Sequence, residues 1–304
     1  MFSNVTLSLW QPASAALFCQ NGIRRMHDNF AKEKAALMRL ISLAATLLFV
    51  SNGALCGVEI VGHRGASYDA PENTLPSVRL AWERDADAVE IDIFQTLDGH
   101  IVTIHDADTK RVGGVDRRVD EQTLDEIQRL DVGAWKDPKW RGTQIPTLEA
   151  VLDTVPTGKS LVVEIKCPLS VLPELERVLD VSGKRAQVII IAFDYETAAA
   201  AKKRFSEIPT YWLFNFSAAY RTRYGVKSND DLIEMARKAG LDGLDVKFDG
   251  PVDRTLVDKL SKAGMKLYVY TVNSATDAQR LADLGVAGIT TDRPGFLRER
   301  LNAH

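Results

Sequence analysis

Two short patterns in this 304-residue chain put charges where they would share a face. Glu90-Ile91-Asp92 and Glu164-Ile165-Lys166 each set two charged residues two positions apart within an apolar run. On a β-strand such residues point the same way. If Val89, Ile91 and Ile93 pack against helices, Glu90 and Asp92 face inward, and two inward carboxylates are costly to bury uncompensated. A divalent cation with oxygen ligands removes that cost. Glu164 would complete the ligand set, and Lys166 would face an anionic phosphate. Of the five histidines, only His63 and His105 follow β-like apolar runs. Imidazole titrates near neutrality, so two of them across a phosphodiester form an acid–base pair. One takes a proton from the attacking hydroxyl and the other gives one to the leaving alkoxide. Arg64 and the metal would stabilise charge on the phosphate oxygens.

Each group also has a plainer reading. His63 alone suits a hydrogen-bonded core histidine. Glu90 and Asp92 suit an edge strand, and Glu164 with Lys166 suits a buried ion pair. Arg64 suits a bridge to a carboxylate, and His105-Asp106 a turn. Cys167 has no histidine assigned to it and reads as a bystander, and Trp135 and Trp140 read as local core. What favours chemistry is coincidence, because all the charged groups fall at the C-terminal ends of early strands.

Those strands belong to a longer alternation. From residue 58 onward, strand-like segments at 59–62, 88–93, 161–165, 187–192, 209–214, 241–246, 267–271 and 288–290 alternate with amphipathic windows. The windows are 75–84, 148–154, 172–181, 195–205, 230–239, 253–263 and 275–284. Runs such as Val188-Ile189-Ile190-Ile191 suit parallel strands buried on both faces. Gly240, Gly264 and Gly285 stand where helices end. Eight strands with intervening helices predict an α/β fold, a TIM (β/α)8 barrel, whose active site lies at the C-terminal strand ends. A doubly wound sheet is the alternative, but no G-x-G-x-x-G follows the first strand. Residues 106–145, after a short strand at 101–105, interrupt the alternation and read as a small insertion after the second strand. A short helix is predicted there at 124–130.

Composition is that of a globular chain, 45% hydrophobic and 26% charged, and a net charge of −3 excludes nucleic-acid binding by a global basic field. Cys19, Cys56 and Cys167 carry no metal-site spacing. Residues 38–56 read as a signal peptide: Arg39, an apolar run from Leu40 to Val50, then Ser51, Gly53 and Ala54. The run is too short for a comfortable membrane span. Leu55 before Cys56 speaks against a lipidation site. Residues 1–37 precede Met38 and read as a start-site overcall or a disordered leader. The expectation is an exported protein, periplasmic or secreted, whose mature domain spans 57–304 and is not inserted in a membrane.

The ordered motifs resemble the glycerophosphodiester phosphodiesterase family. They are His63-Arg64-Gly65-Ala66, Pro71-Glu72-Asn73-Thr74, Glu90-Ile91-Asp92 with Thr96 and Asp98, and His105-Asp106. They continue with Gly133-Ala134-Trp135, Ile145-Pro146-Thr147-Leu148, Glu164-Ile165-Lys166, Thr271-Val272-Asn273 and Thr291-Asp292-Arg293-Pro294. The resemblance spans roughly 59–300. It implies hydrolysis of glycerophosphodiesters to sn-glycerol 3-phosphate and an alcohol, with Ca2+ or Mg2+ held by Glu90, Asp92 and Glu164. It implies His63 and His105 as the acid–base pair, and Arg64 and Lys166 near the phosphate. Glu72 would support these residues, Asn73 would start the following helix, and Asn273 would reach the substrate from the barrel top. Segment 212–227 is not aligned with the family's pattern. A second reading is a lysophospholipase D or sphingomyelinase D-like enzyme that gives a cyclic phosphate. A third is a non-catalytic headgroup-binding barrel, which would lack a central group.

Overall fold

The period-two alternation closes into a ring. The structure, a computed structural model, describes residues 57–302. Along the chain run β1 (Glu59–Gly62), α1 (Leu75–Glu83), β2 (Ala88–Gln95) and β3 (Ile101–Thr103). Next come α2 (Lys110–Gly113), α3 (Leu124–Gln128), α4 (Leu148–Leu152), β4 (Ser160–Ile165) and α5 (Leu172–Ser182). The chain continues through β5 (Val188–Ala192), α6 (Tyr195–Arg204), β6 (Thr210–Phe214), α7 (Ala218–Tyr224), α8 (Asn229–Lys238) and β7 (Gly243–Lys247). It ends with α9 (Arg254–Lys262), β8 (Lys266–Tyr270), α10 (Ala275–Leu284), β9 (Gly288–Thr291) and α11 (Pro294–Leu301). β1 pairs in parallel with both β2 and β9, so eight parallel strands close a barrel. β3 adds to β2 antiparallel, outside the ring.

All eight strands predicted from the sequence are present. The one near 241 starts at Gly243, because Leu241 belongs to the turn after α8. β3 stops at Thr103, so His105 lies just beyond it. Three helices were not anticipated: α2, α7 and α11. Among the described residues no helix is long and apolar enough to cross a membrane. The leader and signal-peptide expectations lie outside the described residues.

Alternate residues face opposite environments, as a strand requires. Val89, Ile91 and Ile93 pack in an outer apolar layer with Val163, Leu175 and Val178 of β4 and α5. Val61, Ala88, Val162, Ile189, Tyr211 and Tyr268 fill the interior. Glu90 and Asp92 alternate with the outer set and so face in with Ala88. Asp92 pairs with Glu164 of β4 in parallel register.

The β1–α1 loop carries the tightest geometry. Arg64, Gly65 and Asn73 all have positive φ, at 53°, 85° and 56°. A Cβ on Gly65 would lie 2.1 Å from Ser77 Oγ and 2.5 Å from its carbonyl carbon, inside α1. Thr74, not Asn73, caps that helix, its hydroxyl accepting from Ser77 N. This corrects the assignment of Asn73 as the helix start.

Gly65→Ala should therefore push α1 off the barrel. Overpacking together with the unfavourable φ should cost about 2 kcal/mol or more. Urea denaturation would show this as a lower midpoint at unchanged slope, and an unchanged midpoint would contradict the account.

Candidate active site

Glu90, Asp92 and Glu164 are all buried, and their ligand-capable oxygens lie within 4.8 Å of one another. The β1–α1 loop folds over them. Arg64 N donates to Glu90 Oε2 at 2.9 Å. Asn73 clamps Asp92 twice: its Nδ2 donates to Oδ2 at 2.8 Å, and its Oδ1 accepts from Asp92 N at 3.0 Å. Arg64 Nε is 3.3 Å from Asp92 Oδ2, and Lys166 Nζ is 3.3 Å from Oδ1. Lys166 Nζ also lies 3.4 Å from Glu164 Oε1.

The electrostatics are uneven. Burial alone would raise the Asp92 carboxyl, but Lys166 and Arg64 overcome it and hold Asp92 below its ordinary value. Glu164 has no such surplus, and burial, with Asp92 beside it, pushes it up to about 8. Glu90 is raised too, by burial and then by Asp92 and Glu164. The two basic groups thus act on all three carboxylates but outweigh burial at only one.

Both histidines are oriented through Nδ1 by an aspartate. His63 Nδ1 lies 2.6 Å from Asp292 Oδ1. Asp292 is fixed by Ser67 Oγ at 3.0 Å and by Asn273 Nδ2 at 2.6 Å. Burial would raise Asp292, but its bond to His63 wins and holds it at about 2. It is therefore a carboxylate and accepts the Nδ1 proton. His105 Nδ1 lies 2.7 Å from Asp106 Oδ1. Arg111 Nε donates to Asp106 at 2.6 Å, and its Nη atoms bridge to Glu72 at 2.7 and 2.9 Å. Glu72 in turn accepts from Arg64 Nη1 at 2.9 Å. His105 is held below the ordinary imidazole range, first by burial and then by Arg64, against the pull of Asp92. With Nδ1 engaged, each imidazole presents Nε2. Both histidines line one cavity of about 190 Å3 with Arg64, Glu90, Glu164 and Lys166.

A family model, the glycerophosphoryl diester phosphodiesterase family, matches residues 63–296. The chain belongs to this family. It is accordingly an enzyme, a phosphoric diester hydrolase. A glycerophosphodiester phosphodiesterase of Caldanaerobacter subterraneus is 32% identical, the match covering 78% of this chain and 95% of that protein. One of Bacillus subtilis is 31% identical over 79% and 85% of the two chains. A solved phosphodiesterase of Oleispira antarctica, in complex with the product sn-glycerol-3-phosphate, is 25% identical with a TM-score of 0.69. That match covers 81% of this chain and 97% of the other.

The structure of this glycerophosphodiester phosphodiesterase brings His63, Arg64, Glu90, His105, Glu164 and Lys166 to one cavity. Asp92 lies within the same cluster. Glu72 sits one step back, joining Arg64 to Arg111. The amide of Asn273 is engaged with Asp292 and Thr291 rather than turned to the cavity. Sequence reasoning gave no role to Asp292, Arg111 or the Asn73 clamp. Asp292 was visible only as part of a matched motif. Trp135, read as insertion core, is 43% exposed beside Arg111.

The three carboxylates fit a divalent cation. Glu90 Oε1 is buried with no hydrogen-bond partner, and the donor set is all oxygen, which suits a hard ion. Without the ion, Glu90 and Glu164 take up protons in the folded state that the unfolded chain releases in the ordinary carboxylate range. A raised folded value means stability that is present below the unfolded value and lost as pH rises through the folded one. In chelator the melting temperature should therefore fall between about pH 5 and about pH 8. Excess Ca2+ or Mg2+ should remove that fall, and Glu164→Gln should shrink it. A melting curve equally pH-dependent with and without the cation would reject the site.

Proposed function

We propose that this enzyme hydrolyses glycerophosphodiesters to sn-glycerol 3-phosphate and an alcohol, with a divalent cation on Glu90, Asp92 and Glu164 and with His63 and His105 as its acid–base pair. The supporting observation is that two imidazoles, each held through Nδ1 by its own aspartate, share one cavity with the three carboxylates. The cation, Ca2+ or Mg2+, would supply charge stabilisation at the phosphate oxygens.

The protein's own groups account for the rest. Arg64 and Lys166 present positive charge where a phosphate would enter. One Nε2 takes a proton from the attacking water as its oxygen bonds to phosphorus. The other Nε2 gives a proton to the alcohol oxygen as the second P–O bond breaks. Asp292 and Asp106 fix the Nδ1–H tautomers and stabilise each imidazolium as it forms. The relatives' names support hydrolysis over a lysolipid-cleaving route to a cyclic phosphate.

His63→Ala and His105→Ala should each lower kcat roughly 10²- to 10⁴-fold, the scale of general acid–base groups. Phosphorus NMR of glycerophosphocholine turnover should show sn-glycerol 3-phosphate as the product. Retained activity in both variants would refute the pair, and a dominant stable cyclic phosphate would favour the internal-attack route.

We further propose export through residues 38–56, on the strength of Arg39 and the apolar run that follows. N-terminal sequencing of the protein from the cell envelope or medium should find a start between Gly53 and Gly57. An intact Met38 on a cytoplasmic protein would overturn this.

A further inference from the structure

The cavity has two unlike walls. The charged groups stand on or after β1, β2, β3 and β4. The facing wall, from β5 to β8, is apolar at Ile191, Phe193 and Leu213. Two polar groups interrupt it. Asp245 of β7 is 1% exposed, and its Oδ1 has no hydrogen-bond partner. Tyr270 of β8 lines the same cavity, its hydroxyl buried and likewise unpartnered. Neither takes part in the chemistry described above, yet both line the cavity.

We propose that Asp245, together with Tyr270, binds the hydroxyls of the glyceryl group and so selects a polyol phosphate. The proposal rests on the function inferred above, which brings a glyceryl phosphate to the opposite wall. A buried polar group without a partner is costly, and a ligand that supplies the partner removes the cost. The phenols of Tyr211, Tyr268 and Tyr270 stand close enough to Asp245 to feel its charge. Burial by itself pushes its carboxyl up to about 8. At neutral pH it therefore offers one donor and one acceptor, the complement of an alcohol. An ammonium group would instead call for an ionised carboxylate or an open aromatic cage. Phe193 packs edge-to-face on Tyr270 and Tyr220, with centroids 5.8 and 5.9 Å away.

Calorimetric binding of sn-glycerol 3-phosphate and of propyl phosphate, with a divalent cation present, tests this without turnover. The wild type should prefer the glycerol ester roughly 10- to 100-fold, because a site built for hydroxyls rejects the analogue that lacks them. Asp245→Leu should bring that ratio close to one. Asp245→Asn, with a donor and an acceptor in the same shape, should keep most of it. Tyr270→Phe should reduce it severalfold. Inorganic phosphate binding reports whether each variant is folded, and if Asp245→Leu is not, Tyr270→Phe decides. A wild-type ratio near one overturns the proposal, as does an unchanged ratio in the variants. So does a preference for phosphoethanolamine that Asp245→Leu abolishes, since that would mark an ammonium site. Polyol selectivity in a protein that cleaves no diester would sink the catalytic reading and leave this one standing.

Discussion

Three carboxylates confined to one patch of the barrel interior set the terms for everything around them. Their ligand-capable oxygens lie within 4.8 Å of one another, so each pair, if both were charged, would repel by at least roughly 3 kcal/mol at an effective dielectric near 20. Strand geometry brings the groups together, since Glu90 and Asp92 share a face and Asp92 is in register with Glu164. The β1–α1 loop then answers the charge. It turns through left-handed backbone at Arg64 and Asn73, which directs Arg64 N at Glu90 and the Asn73 amide at Asp92. Thr103 of β3 accepts the next task and donates to Asn73 O at 2.7 Å, fixing the clamp from outside the barrel. Strained backbone is tolerated here because the surrounding hydrogen bonds determine it more than once.

The same logic joins the histidines to the carboxylates. His105 leads to Asp106, then to Arg111, Glu72 and Arg64, and so to Asp92. This chain runs through the segment after β3, so the insertion does more than cover the barrel. Arg111 on α2 ties the partner of His105 to the partner of Arg64. His63 is anchored independently, from the far end of the sequence, by Asp292 and Asn273. Two imidazoles with separate supports can differ in environment, as the proposed acid–base pair requires.

Much of this is legible in the sequence. The barrel follows from continuous β-branched runs and from helix-ending glycines, both local signals. The inward carboxylates follow from a spacing of two. What was hidden depends on long-range pairing or on ambiguous residues. Asp292 lies 229 positions from His63, and nothing local marks it as the partner. Asn73 was misplaced because asparagine suits both a helix cap and a left-handed turn, and here Thr74 took the cap. Helix α7 escaped because none of Ala218–Tyr224 is fully buried, and its apolar stripe is a single pair one turn apart, Tyr220 and Tyr224, half-buried against the core. Helix α11 did leave a sign, Pro294 at its first turn, but that proline had been read only as part of a motif.

Asp92 and Asp245 show how one barrel holds the same residue type in opposite states. Both are inward-facing and almost wholly buried. Burial is the largest influence on each, and it acts in the same direction. Asp92 is nevertheless held ionised, because Lys166 and Arg64 stand within 3.3 Å of it. At Asp245 burial acts without such a counterweight and pushes the carboxyl up to about 8. The placement of two cations on one side of the barrel thus divides the interior into a wall that takes charge and a wall that takes neutral hydrogen bonds. A glyceryl phosphate has that same division along its length, a charged end and a hydroxylated end three carbons away. Under the function proposed above, the asymmetry of the cavity therefore matches the asymmetry of the ligand, charge against charge and hydroxyl against neutral hydrogen bond.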